Sequence, residues 1–232
     1  MNVSFSSSSE YATPPGPFLP HTDGCFPGRD IRSPSLQKFN DSSLPIWTMD
    51  HAIYSVVLHL ADSIPVHERM KWAALREELK TLVKKERRDY TDEEIELLKT
   101  AYGERIEKYL AAGNGSCLLR DMRAANAVAD VFEHDNGDIC AIHAWTIMPN
   151  HVHLILQLKT GTELRPLLQK WKRISGHAVN RALAREGEVW MDDIYTRIIR
   201  TPGEYGRQMS YLWNNPDAAG LKDGFLRRRY VP

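Results

Sequence analysis

Two histidines separated by one residue are the first candidates for chemistry in this sequence. They lie in the segment PNHVHL (149–154), and the apolar residues that follow predict a strand. Because successive side chains of a strand alternate between its two faces, His151 and His153 would face the same way and could bind one metal ion. A histidine pair that simply belongs to the core or to the surface is the alternative for the same spacing.

A second candidate pair, Tyr211 and Asn215, lies near the C-terminus. Their i, i+4 spacing places both side chains on one face of a predicted helix. An asparagine carbonyl oxygen suits Mg²⁺ or Mn²⁺, and a tyrosine one turn away could attack a phosphate close to that ion. A core tyrosine followed by an asparagine at the helix end is the alternative. Pro216 predicts that the helix ends at Asn215.

Periodicity and turn signals predict the elements that would position these pairs. We expect strands at 52–60, 139–148, 151–158 and 190–200, and helices at 121–133, 163–185 and 203–214. This β-α-β-β-α-β order with one further helix predicts an α+β fold: a ferredoxin-like (split βαβ) antiparallel sheet with helices on one face. Two charged helices, at 67–88 and 92–111, would form a helical insertion (67–111). A capping box from Thr91 to Glu94 marks the start of the second.

Composition changes along the chain suggest three parts. Residues 1–46 are rich in Ser, Pro and Gly without apolar periodicity, and we expect a disordered N-terminal tail. Residues 47–221 would form the domain that carries both candidate pairs. Residues 222–232 would form a basic C-terminal tail.

The overall composition excludes several classes of protein. Hydrophobic residues make up 42% and charged residues 26%, with no apolar run long enough for a membrane span and no secretory pattern at the start. We therefore expect a cytoplasmic protein without a membrane partner. The net charge is zero, but 14 Lys and Arg stand against 8 Asp and Glu from Lys159 onward. Such a basic region can bind phosphates, although it can also be an ordinary solvated surface.

Four segments taken in order resemble a known family. AWTIMPNHVHLIL (144–156), LLQKWKRISGHAVNRAL (167–183), VWMDDIYTRIIR (189–200) and YLWNNPDAAGL (211–221) are similar to the one-tyrosine, single-strand transposases. They are most similar to the REP-associated tyrosine transposases, whose HUH motif is His, a hydrophobic residue and His. The resemblance covers roughly 53–221, so 47–221 would be an HUH transposase domain.

The resemblance implies a role for each candidate residue. His151 and His153 would be the paired metal ligands, Asn215 the third ligand of Mg²⁺ or Mn²⁺, and Tyr211 the nucleophile. The protein would be an enzyme, a tyrosine transposase and endonuclease that cuts and rejoins hairpin-bearing single-stranded DNA through a 5′-phosphotyrosine intermediate. It would act as a monomer or homodimer.

DNA contacts are expected from one helix and one strand. The basic residues that we expect to contact DNA are Arg165, Lys170, Lys172, Arg173, Arg181 and Arg197. Trp171 could stack on a base or belong to the core. The strand segment 195–197 reads Tyr-Thr-Arg, without the acidic residue common at its centre in the family.

Three other functions fit parts of the sequence. A domesticated transposase that binds structured single-stranded DNA without cutting it would keep the fold and the basic helix. A replication initiator or conjugative relaxase would share the chemistry, usually within a larger domain. A small metal hydrolase without nucleic acid would leave the resemblance of the helix at 167–183 unexplained.

Overall fold

The computed structural model describes residues 37–39, 46–49, 51–86, 91 and 106–230. The strands are β1 Gln37–Phe39, β2 Ile46–Thr48, β3 Ile53–His59, β4 Cys140–Ile147, β5 His151–Leu158, β6 Tyr195–Ile199 and β7 Leu226–Arg229. The helices are α1 Val66–Glu86, α2 Met122–Asp135, α3 Leu164–Ala182 and α4 Pro202–Ala218, with a 3₁₀ turn at Leu118–Arg120 and a helical segment at 106–111.

Five of these strands form the central antiparallel sheet. Their order is β6-β3-β5-β4-β7, and every neighbouring pair is antiparallel. The connections β3-α2-β4 and β5-α3-β6 are the two halves of a split βαβ arrangement. The predicted α+β, ferredoxin-like fold is therefore confirmed, with β7 as an added edge strand beside β4.

The two faces of the sheet are covered by different helices. Val152, Leu154 and the other even-numbered residues of β5 are buried in a large core that includes the apolar sides of α2 and α3. The odd-numbered residues face the opposite side, where α4 packs Met209 and Leu212 against Ile155. Both crossover helices therefore share one face as expected, and the final helix lies across the other.

The helical insertion packs against this second face. Ile106 and Leu110 join Trp72 of α1 and Val57 of β3 in a small buried cluster. α1 confirms the first predicted helix, and 106–111 is the end of the second, whose earlier residues and capping-box Glu94 lie outside the described residues. The insertion thus covers part of the sheet close to β5.

The prediction that the last helix ends at Asn215 is wrong, because α4 continues through Pro216 to Ala218. Proline has no N–H, so the carbonyl of Leu212, four residues earlier, loses its helical donor. Thr146 of β4 supplies the missing hydrogen bond, with its hydroxyl 2.9 Å from that carbonyl oxygen. A side chain from the sheet therefore allows the helix to accommodate proline in its last turn.

Each of the two segments that were expected to be tails contains a strand. Gln37–Phe39, within the predicted disordered tail, pairs with Ile46–Thr48, while 1–36 and 40–45 lie outside the described residues. Leu226–Arg229, within the predicted basic tail, pairs with β4 in the central sheet. None of the helices within the described ranges is both long and apolar enough to cross a membrane.

Candidate active site

The two candidate histidines lie side by side at the start of β5. The Nε2 atoms of His151 and His153 are 3.0 Å apart, and both side chains are buried, at 2% and 4% exposure. Their rings meet edge to face. The expected common orientation is therefore observed, and it brings the same ring nitrogen of each residue to one point.

Both rings are uncharged at neutral pH. Burial lowers the pKa of His153 from 6.5 to about 4. Burial also lowers the pKa of His151 well below 6.5, and the neighbouring His153 and His59 add to the shift. A neutral imidazole keeps a lone pair on one nitrogen, which is the form that binds metal ions.

A third buried histidine lies beside them on β3. His59 is directly opposite His151 in the antiparallel register, and its Nδ1 lies 2.9 Å from the hydroxyl oxygen of Ser63. Burial lowers the pKa of His59 to about 4. The sequence analysis missed this residue, because the register of β3 against β5 is not visible in either strand alone.

Helix α4 brings the second candidate pair to the histidines. The side-chain nitrogen Nδ2 of Asn215 lies 3.2 Å from Nε2 of His153, and the ring of Tyr211 meets the ring of His153 edge to face with 5.4 Å between centroids. The two motifs, some sixty residues apart in sequence, therefore form one site.

The environment of Tyr211 disfavours its charged form. Burial raises the pKa of Tyr211 to about 12, the negative charge of Glu107 adds to the rise, and a hydrogen bond with Asn215 opposes it. Glu107, a residue of the insertion, therefore lies close enough to the phenol to raise its pKa. Among the described residues, no lysine or arginine contributes to this shift.

The residues present fit a divalent cation. No group of three or more His, Cys, Asp or Glu side chains in the described ranges could hold a metal ion. A ligand set drawn from those ranges would therefore combine the two histidines with a side chain of another type. Two nitrogens bound to one ion at about 2.1 Å in adjacent octahedral positions are about 3.0 Å apart, as the two Nε2 atoms are. A half-turn of the Asn215 amide would direct its oxygen to the same point.

Tyr211 borders an open groove along α4. Gly203, Gly206 and Ser210 line its wall together with the exposed Arg207, and Asn214 and Asn215 lie at the end beside the tyrosine. The absence of side chains at the two glycines leaves room for a bound chain. The groove leads from solvent to the phenol, which is 41% exposed.

Three of the six basic residues expected to contact DNA have partners within the protein. Nζ of Lys170 pairs with the buried carboxylate of Asp135 at 2.9 Å. Nζ of Lys172 lies 2.9 Å from the backbone oxygen of Asp192, and burial lowers the pKa of this lysine. Nε of Arg197 is 2.8 Å from Glu204 of α4, so the acidic partner missing from its own strand comes from the helix.

The other three, Arg165, Arg173 and Arg181, lie on α3, and the last two are exposed. Trp171 on the same helix is fully buried and donates to Asp135, so it belongs to the core. Since α3 and α4 cover opposite faces of the sheet, the structure does not bring these arginines to Tyr211. Any DNA that contacts both must pass around an edge of the sheet.

Two comparisons with known proteins found a similarity. Residues 122–199 match the family model described as "Transposase IS200 like". This stretch of the chain is thus similar to IS200-like transposases, in line with the resemblance inferred from the sequence. The chain is also similar to a solved protein described as "Structure of the REP associates tyrosine transposase bound to a REP hairpin". The identity is 17% and the TM-score 0.40, over 75% of this chain and 72% of that one. No curated protein matches the chain.

Sequence reasoning missed four residues that the fold brings to the site: His59, Glu107, Thr146 and Asn150. Thr146 is the register partner of His153 in β4. Asn150 directly precedes His151, and that position was a usable signal in the sequence. Glu107 carried no signal, because it lies in a charge-rich helix where nothing distinguishes it from the other carboxylates.

Proposed function

We propose that this protein is a metal-dependent transposase that cuts and rejoins single-stranded DNA with Tyr211 as nucleophile. One observation carries the proposal: Tyr211 and Asn215 of α4 converge on the paired Nε2 atoms of His151 and His153. The IS200-like match over 122–199 supports the same class of enzyme.

The ligand set suits Mg²⁺ or Mn²⁺. Two neutral imidazoles and one amide oxygen leave positions for a phosphate and water, and imidazole favours Mn²⁺ of the two. When bound there, the cation supplies positive charge to the scissile phosphate and stabilises the charge that develops in the transition state.

Glu107 is the residue that would accept the proton of the Tyr211 phenol. The Glu107 carboxylate, whose interaction with the Tyr211 phenol raises the phenol's pKa, is the acceptor that we assign to the phenol hydrogen, and a tyrosine of raised pKa needs such an acceptor at neutral pH. The phenol oxygen forms a bond to phosphorus as the bond from phosphorus to the 3′-oxygen breaks. That oxygen keeps the electron pair and takes a proton from water, which leaves a 5′-phosphotyrosine.

Rejoining reverses these steps. The 3′-hydroxyl of another strand returns its proton to water and attacks the phosphotyrosine. The bond from phosphorus to the tyrosine oxygen breaks, and that oxygen recovers the proton held by Glu107. The number of phosphodiester bonds is conserved, so no nucleotide cofactor is required. We take the substrate to be single-stranded DNA with a hairpin, by resemblance to the REP-associated transposases.

A cleavage assay tests this function. Labelled hairpin oligonucleotides from the flanks of the gene are incubated with the protein and Mn²⁺ or Mg²⁺, and the products are separated on a denaturing gel. We expect a metal-dependent protein–DNA adduct that Tyr211→Phe abolishes. Binding without an adduct in either metal, over several oligonucleotides, would instead indicate a domesticated transposase that binds structured DNA without cutting it.

A further inference from the structure

The side chain of Asn150 connects the histidine pair to the helical insertion. It is buried at 1% exposure, and its Nδ2 donates to the backbone oxygens of Leu110, at 3.2 Å, and Asn114, at 3.0 Å. Its Oδ1 lies 2.7 Å from Nδ1 of His151. One amide therefore bridges the end of the insertion and the start of β5.

The two carbonyl partners determine which way this amide faces. If the amide were turned over, Oδ1 would meet two carbonyl oxygens with no hydrogen between them, which is unfavourable in a buried site. The nitrogen therefore faces Leu110 and Asn114, and only the oxygen faces His151. Because Oδ1 can only accept, the hydrogen of the His151 ring must be on Nδ1.

A hydrogen on Nδ1 leaves the lone pair of His151 on Nε2. In the orientation shown, the amide nitrogen of Asn215 lies 3.2 Å from Nε2 of His153 and donates to it. That Nε2 therefore also carries a lone pair as long as the amide is not turned toward an ion. The two Nε2 atoms, 3.0 Å apart, then have no hydrogen between them, and their contact is repulsive. A cation at the point where both lone pairs are directed removes that repulsion.

We propose that Asn150 is a positioning residue that selects the His151 tautomer presenting Nε2 to a divalent cation. The backbone oxygens of Leu110 and Asn114 hold Asn150 in the orientation that makes this selection. The insertion is thereby part of the metal centre, although it supplies no ligand. This inference rests on the proposed function, since it assumes that the histidine pair binds a metal ion.

The tautomer can be observed without metal or DNA. In the metal-free protein, ¹⁵N NMR correlations of the imidazole rings report which nitrogen of His151 carries the hydrogen. We expect the Nδ1–H form in the wild type. Asn150→Ala should lose the preference for this form, whereas Gln157→Ala, which removes an amide elsewhere on the same strand, should keep it. If Asn150 only filled space, Asn150→Ala would leave the hydrogen of His151 on Nδ1.

Metal affinity gives a second readout. Calorimetric titration with Mn²⁺ should show an affinity about 10- to 100-fold lower in Asn150→Ala, the usual effect of removing a group that orients a metal-binding histidine. Gln157→Ala is the matched control: Gln157 is an amide on the same strand, and its Nε2 donates to the backbone oxygen of His51 at 2.7 Å. We expect that variant to bind Mn²⁺ as the wild type does.

A wild-type His151 that carries its hydrogen on Nε2 would overturn the proposal, even if Asn150→Ala failed to fold. So would a folded Asn150→Ala that keeps both the Nδ1–H form and the wild-type affinity for Mn²⁺. The cleavage assay decides the proposed function separately. If the protein cuts DNA but His151 has the other tautomer, only the proposed role of Asn150 is rejected. If the tautomer is as expected but no adduct forms, only the proposed function is rejected.

Discussion

The hydroxyl of Thr146 lies 2.9 Å from the backbone oxygen of Leu212 and donates to it. This contact joins β4 to α4 one residue after Tyr211 and three before Asn215. It satisfies the carbonyl that Pro216 leaves without a donor, and Thr146 is also the register partner of His153. One buried hydroxyl thus determines how the helix of the candidate nucleophile sits on the strand of the candidate metal ligands.

Replacement of Thr146 by valine should destabilise the protein by about 1–3 kcal/mol, because a buried carbonyl loses its partner. Pro216→Ala should recover most of that loss in the double variant, since alanine restores the helical N–H to Leu212. Urea unfolding of the two single variants and the double variant measures the coupling. If the two effects simply add, the carbonyl is not what links these residues.

Tyr211 and Tyr205 provide a matched pair on one helix. Tyr211→Phe should reduce the covalent adduct to background while DNA binding persists. Tyr205→Phe should keep the adduct, since the Tyr205 hydroxyl lies 2.9 Å from Nδ1 of His143 and away from the histidine pair. An adduct retained by Tyr211→Phe and lost by Tyr205→Phe would reassign the nucleophile.

Glu107→Gln should slow adduct formation by about a hundredfold, the lower end of what a general base contributes. The same change should lower the pKa of Tyr211 from about 12, because it removes a nearby negative charge. Single-turnover cleavage and ultraviolet titration of the phenol measure the two effects. Wild-type cleavage rates in Glu107→Gln would show that the carboxylate takes no part in the proton transfer.

Substitutions of Lys170 and Arg173 should have different effects, although both are basic residues of α3. Lys170→Met leaves the carboxylate of Asp135 buried at 4% exposure without its cation, and we expect a loss of about 2 kcal/mol in folding free energy. Arg173→Met, at an exposed position, should leave stability unchanged. Thermal unfolding separates them, and DNA binding at two salt concentrations shows whether Arg173 contacts phosphate.

The metal-free protein should lose stability as the pH falls from 7 to 5. Burial lowers the pKa of His143 to about 4, so between that value and 6.5 the unfolded chain binds a proton that the folded one does not. This difference amounts to about 2 kcal/mol for His143 over the range. The urea midpoint of His143→Gln should therefore depend less on pH than that of the wild type. Part of the dependence should remain, because burial also lowers the pKa of His59 and of His153.

Local spacing in the sequence determined the elements and the sets of side chains that each presents. The strand period of two predicted that His151 and His153 share one face of β5. The helical period predicted that Tyr211 and Asn215 share one face of α4, and both pairs are found as expected. The order of strands and helices predicted the split βαβ sheet. These features depend on residues a few positions apart, so periodicity was sufficient.

Tertiary structure decided what lies next to those sets. The register that puts His59 opposite His151, the approach of Glu107 to Tyr211 and the bond from Thr146 to α4 join residues far apart in the chain. Pro216 shows the difference most directly: its local preference ends a helix, but a hydroxyl from β4 removes the cost of continuing. Lys170 likewise looks like a DNA contact in sequence and proves to be the partner of a buried carboxylate. Such roles depend on which surfaces the fold brings together, and no local period encodes that.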